Sequence, residues 1–321
     1  MDVLPHKIPQ ALKARNSWVL WRHVERDGKP TKVPFTPEET PAKSTDPSTW
    51  SCFDMAFDEY ERRPQFWEGI GFVFSESDPF VGIDLDACYH DKIIDPWAKK
   101  IITDFDTYAE LSPSGNGIKL IVEGKFPLSA GKNKKLDLPQ VEGKTPGIEC
   151  YDSKRFFTVT GQRFIGPSEP QPRQDALDEF CSTHWKAEMT VARAMKYVER
   201  MPAAITGQGG DRQTYRVACC LVKGFLLSEQ DALLVMREYN RRCQPCWSEK
   251  ELQRKLQCAQ RDSGASGYLA EAKPADWDKI VIPEYDTADV GRASRMCIEV
   301  LDGLEVRERR FVLSGLQALY R

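Results

Sequence analysis

Val81-Gly82-Ile83-Asp84-Leu85-Asp86 is an apolar run that passes directly into two aspartates separated by one residue. Its length and β-branched content predict a strand. In an extended strand positions i and i+2 face the same side, roughly 6.6 Å apart at Cα. Two carboxylates held that way repel each other unless they are protonated or neutralised by a cation. Hard oxygen ligands on one rigid face suit Mg²⁺ or Mn²⁺, which bind carboxylates together with phosphates. Two such ions, about 3.5–4 Å apart, form a clamp for phosphate chemistry. A bare pair of this kind has a second reading, a strand that ends in turn-capping aspartates, and its neighbours in the sequence have to decide.

Downstream, Ser112-Pro113-Ser114-Gly115-Asn116-Gly117-Ile118-Lys119 combines small residues and glycines that let backbone N–H groups approach an anion. Lys119 then enters an apolar run, where it can reach a phosphate. The same stretch also reads as a plain hairpin in which Asn116-Gly117 makes a type I′ turn. In Gly147-Ile148-Glu149-Cys150-Tyr151-Asp152, Glu149 is an acid inside a short apolar strand. It is either a third metal ligand or a solvent-facing edge residue. Arg155 follows six residues later, with a guanidinium that suits bidentate binding of a triphosphate.

Around these stretches the first half of the chain predicts mixed α and β structure. Strands are expected at 18–21, 71–74, 80–83, 119–122 and 156–159, and helices at 54–63 and 96–108. Residues 126–146, rich in Lys, Gly and Pro, predict an exposed loop, and the proline-rich 166–173 marks a domain edge. Beyond about 189 the period changes to helical. Ala218, Leu221, Val222 and Phe225 share one face, as do Ala232, Val235, Met236 and Tyr239, and Leu252, Leu256 and Ala259. Ser248 with Glu251 has capping-box spacing, and Ser228 with Asp231 approximates it. Three parts follow: an α+β domain at 1–175, a small all-α helical bundle at 189–269, and a linker with an amphipathic helical segment at 270–321.

The chain has 321 residues, 41% hydrophobic and 29% charged, with a net charge of −3. That excludes disordered, fibrous and uniformly basic classes. The absence of any apolar run of roughly 18 residues predicts no membrane span, and the charged, proline-containing start predicts no secretory signal. A cytoplasmic location is expected, with the ten cysteines as free thiols. Cys243 and Cys246 form one close pair without the further ligands a zinc site requires. Residues 193–262 carry thirteen basic against eight acidic side chains. Such an excess is compatible with phosphate contacts and equally with solvated helix faces.

Asp84-Leu85-Asp86, Ser114-Gly115-Asn116-Gly117, and Glu149 with Arg155-Phe156-Phe157-Thr158-Val159-Thr160-Gly161 together resemble the three motifs of the archaeo-eukaryotic primase superfamily. The likeness is closest to the primase-polymerases of phages, plasmids and some bacterial replicons. Trp18-Val19-Leu20-Trp21, Lys29, Lys32, Thr45-Asp46-Pro47 and Trp50 extend it towards the N-terminus. Gly207-Gln208-Gly209-Gly210, Glu238-Tyr239-Asn240 and Trp247-Ser248-Glu249-Lys250-Glu251-Leu252 extend it into the helical region, so that it covers about 15–269.

The resemblance implies a catalytic core related to the RNA-recognition fold, with two sub-sheets, and template-directed joining of nucleoside triphosphates. It implies that Asp84, Asp86 and Glu149 hold two Mg²⁺ or Mn²⁺ ions and that Lys119 belongs to the catalytic set. Ser114, Gly115, Asn116, Lys119 and Arg155, with Lys29 and Lys32, would bind the incoming dNTP or NTP. The helical bundle would grip a single-stranded DNA template, with Arg212, Arg216, Arg241 and Arg242 as its DNA contacts. The family's second motif usually ends in histidine, and this chain has Lys119 there. It also has no GxxxxGK[ST] loop, so a separately encoded helicase is the expected further partner. Lys119 favours a second reading, a catalytically weak replication-initiation or single-stranded-DNA-binding protein with the same fold. A third is another metal-dependent phosphotransferase or nuclease.

Overall fold

A computed structural model of the protein describes residues 2–283. The amphipathic segment expected over 290–321 lies outside them. The chain divides into two compact units, Met1–Met189 and Thr190–Arg321.

The first unit runs in the order α1 (Gln10–Lys13), β1 (Trp18–Arg26), β2 (Lys29–Phe35), α2 (Phe53–Arg62), β3 (Gly69–Phe74), β4 (Phe80–Asp86), β5 (Tyr89–His90), β6 (Ile93–Ile94) and α3 (Pro96–Phe105). It continues with β7 (Tyr108–Leu111), β8 (Ile118–Glu123), β9 (Lys132–Lys135), β10 (Gly147–Tyr151), β11 (Arg155–Val159) and α4 (Gln174–His184). The architecture is α+β. One antiparallel sheet has the order β11-β3-β1-β2, and a second has the order β7-β8-β4-β10-β9.

Aromatic side chains join the two sheets. Phe72, Phe74 and Phe157 from the first sheet and Phe80, Tyr108 and Ile121 from the second belong to one buried cluster. Their rings meet edge-on, Phe74 and Phe157 at 5.0 Å and Phe72 and Phe80 at 6.0 Å, a geometry in which a ring's positive edge faces a negative face. Gly82 makes this closeness possible. A Cβ at that position would lie 2.5 Å from Phe74 and 2.6 Å from Phe157.

The second sheet's other face carries Cys150, whose thiol is hydrogen-bonded to that of Cys181 on α4, and Ile148, which shares a cavity with Ile101, Phe105 and Phe180 of α3 and α4. Covered on both faces, β4 is apolar from Phe80 to Ile83. Asp84 and Asp86 mark where cover on one face runs out. Leu85 between them stays fully buried.

Three expectations need correction. The helix beginning at Pro96 stops at Phe105, because Asp106 turns into a left-handed conformation and Tyr108 already opens a strand. The lysine-rich 126–146 is not loop throughout, since Lys132–Lys135 pairs with β10 as the edge of the second sheet. The helix bearing Ala218 ends at Cys219, and Cys220–Gly224 widens into a π-helical turn. The four apolar residues of that stretch are buried nonetheless.

Helix α5 (Lys186–Glu199) crosses the boundary, and the second unit continues with α6 (Gly210–Cys219), α7 (Glu229–Asn240) and α8 (Glu249–Arg261). Its core gathers Ala218, Val235, Met236, Tyr239, Leu252 and Leu256. Ser248 and Glu251 form a complete capping box at the start of α8, and the Ser228 hydroxyl accepts the Asp231 N–H at 3.1 Å at the start of α7. Such caps satisfy donors that a helix start leaves unpaired. No helix among the described residues is long and apolar enough to cross a membrane.

Candidate active site

Antiparallel register sets one row of side chains across the second sheet. Glu110 of β7 stands opposite Lys119 of β8, Lys119 opposite Asp84 of β4, Asp84 opposite Glu149 of β10, and Glu149 opposite Asn133 of β9. Directly opposed residues in an antiparallel pair point to one face, here the face towards the first sheet. Asp86 lies one step further along, opposite Gly147, with Lys135 beyond. Pairing thus brings Asp84, Asp86, Glu149 and Lys119 together from three separate stretches of chain.

Every acid of the group has a cationic partner. The Lys119 ammonium, buried and 4.4 Å from the Phe157 ring, donates to Asp84 Oδ2. Lys135 Nζ lies 3.5 Å from Asp86 Oδ2. Arg155, at the start of β11, reaches from the first sheet to Glu149 Oε2 at 3.2 Å and covers the Tyr151 ring at 5.0 Å. Asp84 Oδ1 is buried without a hydrogen-bond partner.

A cleft of about 730 Å³ opens beside this row. Asp86, Ser114, Asn116 and Lys135 line it from one side, and Trp21, His23, Lys32 and Glu68 from the other, with Lys144 at its rim. Lys32 has its ammonium pKa lowered. Loss of water around the charge is the larger cause and the positive charge of Lys119 the next, while Asp84 and Asp86 pull the other way. Lys29 is exposed at the opening of β2, three residues away and so on the opposite face of the strand; it does not line the cleft.

The loop after β7 is held by its own side chains. Ser112 and Gly117 close it (Ser112 N–H to Gly117 C=O, 2.9 Å; Gly117 N–H to Ser112 Oγ, 3.1 Å), and Ser114 Oγ donates to Asn116 Oδ1 at 2.6 Å. The expected type I′ turn is absent. Gly115 takes the left-handed conformation at φ 75°, whereas Asn116 and Gly117 do not. The Asn116 carbonyl instead accepts the N–H groups of Cys88 and Tyr89 at 3.0 and 3.2 Å, tying the loop to the end of β4.

Several side chains went unnoticed in the sequence. Glu110 is wholly buried and accepts the Tyr108 hydroxyl at 2.7 Å and the N–H groups of Thr160 and Gly161 at 2.9 and 2.8 Å. Burial raises its carboxyl pKa, against the pull of these donors. The signal was available, since Tyr108-Ala109-Glu110-Leu111 is an acid inside an apolar strand, as at Glu149. His23 Nδ1 lies 2.7 Å from Glu68 Oε2, and Glu68 Oε1 accepts the His23 N–H at 2.7 Å. Burial pushes Glu68 upward, but the two His23 contacts outweigh it and hold its carboxyl below the usual value. Nothing local in the sequence joins positions 23 and 68.

In the second unit, Arg212 and Arg216 are exposed one turn apart on α6. Arg241 pairs with Glu238 at 2.8 Å. Arg242 donates to the carbonyls of Val198, Glu199 and Met201 at 2.8–3.2 Å, which makes it a clamp on the end of α5.

The donor set suits a hard cation. It offers carboxylate oxygens on adjacent strands, and the buried Asp84 Oδ1 has no hydrogen-bond partner. As the side chains stand, however, no three His, Cys, Asp or Glu among the described residues are grouped closely enough to hold a metal ion. Each of the three acids is instead paired with a cation, and two of these cations, Lys135 and Arg155, are on exposed side chains.

No protein-family model matches the chain. Over 160 residues it is 37% identical to a protein of Nitratiruptor phage NrS-1 named DNA primase-polymerase. The chain resembles a phage primase-polymerase. The match takes in 49% of this chain and 21% of the phage protein, so the chain spans about a fifth of that relative's length.

Proposed function

We propose that the first unit catalyses template-directed nucleotidyl transfer, as a primase-polymerase whose two sheets form a core of the RNA-recognition type. One observation carries this reading: Lys119, Asp84 and Glu149 lie side by side across three strands, one step from Asp86, beside a cleft edged with Lys32, Lys135 and Lys144. The phage relative's name supports it.

In this reading Asp84, Asp86 and Glu149 hold divalent ions, Mg²⁺ or Mn²⁺. When bound, the ions supply Lewis-acid stabilisation of phosphate charge and activation of the primer hydroxyl. The chain's own residues do the rest. Lys32, Lys135, Lys144 and Arg155 meet the charge of the incoming triphosphate. Ser114 and Asn116 present a pre-formed rim, and the aromatic wall behind Asp84 keeps bulk water out. Lys119, at the position where the second motif of the family that the chain resembles usually has histidine, holds one oxygen of Asp84 and fixes its rotamer. Arg212 and Arg216 are candidates for template contact in the second unit.

The position of Lys119 has a measurable consequence. A unit charge about 4 Å from a divalent ion opposes its binding by about 2 kcal/mol even at the dielectric constant of water. Lys119→Gln is therefore expected to tighten Mn²⁺ binding by at least about tenfold, read by titration of the free-Mn²⁺ EPR signal. Equal or weaker binding by the variant would show that lysine and metal do not compete.

The same lysine favours a second reading, a single-stranded-DNA-binding initiation protein with little catalysis. A primed single-stranded template incubated with dNTPs or NTPs and Mg²⁺ or Mn²⁺ separates the two. Primer extension is expected. Template binding without extension would support the second reading, and degradation of the strand would support a nuclease.

A further inference from the structure

Strand β9 is the outer strand of the second sheet, and its sequence is Lys132-Asn133-Lys134-Lys135. Alternation along the strand divides its charges. Asn133 and Lys135 stand opposite Glu149 and Gly147 on the face of the acidic row, whereas Lys132 and Lys134, opposite Cys150 and Ile148, project to the other face. On that other face lies a separate shallow groove of about 630 Å³. Lys132, Lys134, His184 and Lys186 line it, with Glu188 as its acidic member.

The polar groups of the groove are held by the frame around them. Lys134 Nζ donates to the His184 carbonyl at 3.4 Å, and Lys132 Nζ lies 3.7 Å from Glu188. Burial, then the charge of Lys134, lowers the pKa of His184 and favours its neutral form. An imidazole beside three ammoniums and the one carboxylate of Glu188 leaves a groove with an excess of positive charge and a ring able to take part in a hydrogen bond. Such a surface fits phosphodiester oxygens.

We infer that β9 and this groove bind the sugar-phosphate backbone of a single-stranded DNA segment that continues over the sheet edge from the cleft. The inference rests on the polymerising reading above and adds to it a path for the strand. Lys135 faces the cleft and Lys132 and Lys134 the groove, so a backbone crossing the edge meets ammoniums on both sides of it. From Lys132 to Lys135 the strand spans about 10 Å at roughly 3.3 Å per residue. That is about three phosphate-to-phosphate intervals at the 3.4 Å axial spacing of one strand of duplex DNA.

A plainer role for lysines on an edge strand is to repel other edges and prevent aggregation. That role does not call for Lys186 and His184 on the facing wall, and it predicts a different experimental result.

The test measures binding of a fluorescein-labelled single-stranded oligonucleotide of mixed sequence by anisotropy across a salt series. Each phosphate contact on a single strand contributes about −0.7 to the slope of log K against log salt. The Lys132→Gln/Lys134→Gln variant is expected to lose about 1.4 from that slope and at least about tenfold in affinity. The Lys132→Arg/Lys134→Arg variant should bind like wild type, and Mn²⁺ binding should be unchanged in both. Lys134→Gln/Lys186→Gln provides a second pair, expected to behave like the first, should the first fail to fold. Wild-type affinity and slope in the Gln variants would overturn the inference and leave the polymerising reading standing; added aggregation would then identify edge protection. Failure of the wild-type chain to bind single strands at all would overturn both.

Discussion

Asp84→Asn is expected to reduce primer extension by about a thousandfold while the protein stays folded. Asp84 is the central acid of the row. Its Oδ2 holds Lys119, its buried Oδ1 has no partner, and Glu149 stands directly opposite. Losing its negative charge removes the central acid of the proposed cation site, and metal-based charge stabilisation contributes several kcal/mol to such reactions. A loss of about 4 kcal/mol corresponds to about three factors of ten. Asparagine keeps the size of the side chain and an oxygen that can accept from Lys119, which makes it the cleaner replacement. Alanine would leave a buried ammonium unpaired and cost about 3–5 kcal/mol of stability. Extension by the Asn variant within tenfold of wild type, measured under single-turnover conditions, would remove Asp84 from the reaction.

The second large effect concerns stability. Glu110→Ala should lower the unfolding free energy by about 4 kcal/mol in urea titration. The carboxylate accepts three buried donors, two of them backbone N–H groups at the end of β11, and so fastens that end of the first sheet to the second. Each buried donor left without an acceptor costs roughly 1–3 kcal/mol. Glu110→Gln, which retains one acceptor oxygen, should lose less. A deficit under about 1 kcal/mol for the Ala variant would show that water enters and replaces the carboxylate.

The parts of the fold legible in the sequence were those in which local pattern and tertiary environment agree. β4 reads as a strand because both its faces are covered until Asp84, and the change from apolar to acidic residues coincides with the edge of that cover. The acids and Lys119 were recognisable by type and setting. Their adjacency is a product of register, and pairing that joins Asp84 to Glu149 and Lys119 across long loops has no local signature.

β9 was hidden for another reason. Lysine has weak strand preference, and Lys132–Lys135 is extended because β10 offers it an edge. The His23–Glu68 pair was likewise set by the pairing of β1 with β2 and β3, which no periodicity reports. At 112–117 the hairpin reading holds, since β7 pairs antiparallel with β8, but the type I′ turn does not: the Asn116 carbonyl is recruited by Cys88 and Tyr89, and the left-handed position shifts to Gly115.

The three ion pairs Lys119–Asp84, Lys135–Asp86 and Arg155–Glu149 bear on how the protein is assembled. A cluster of bare carboxylates would strain the sheet that carries it until a counter-ion arrived, so that maturation would wait on cellular magnesium. In this chain the counter-ions are encoded and arrive with the strands. Folding therefore does not require the metal, and the chain dialysed free of divalent ions should still unfold in one cooperative transition, with added Mg²⁺ raising its melting temperature only as a native-state ligand does; a chain that stayed unfolded until Mg²⁺ was added would contradict this.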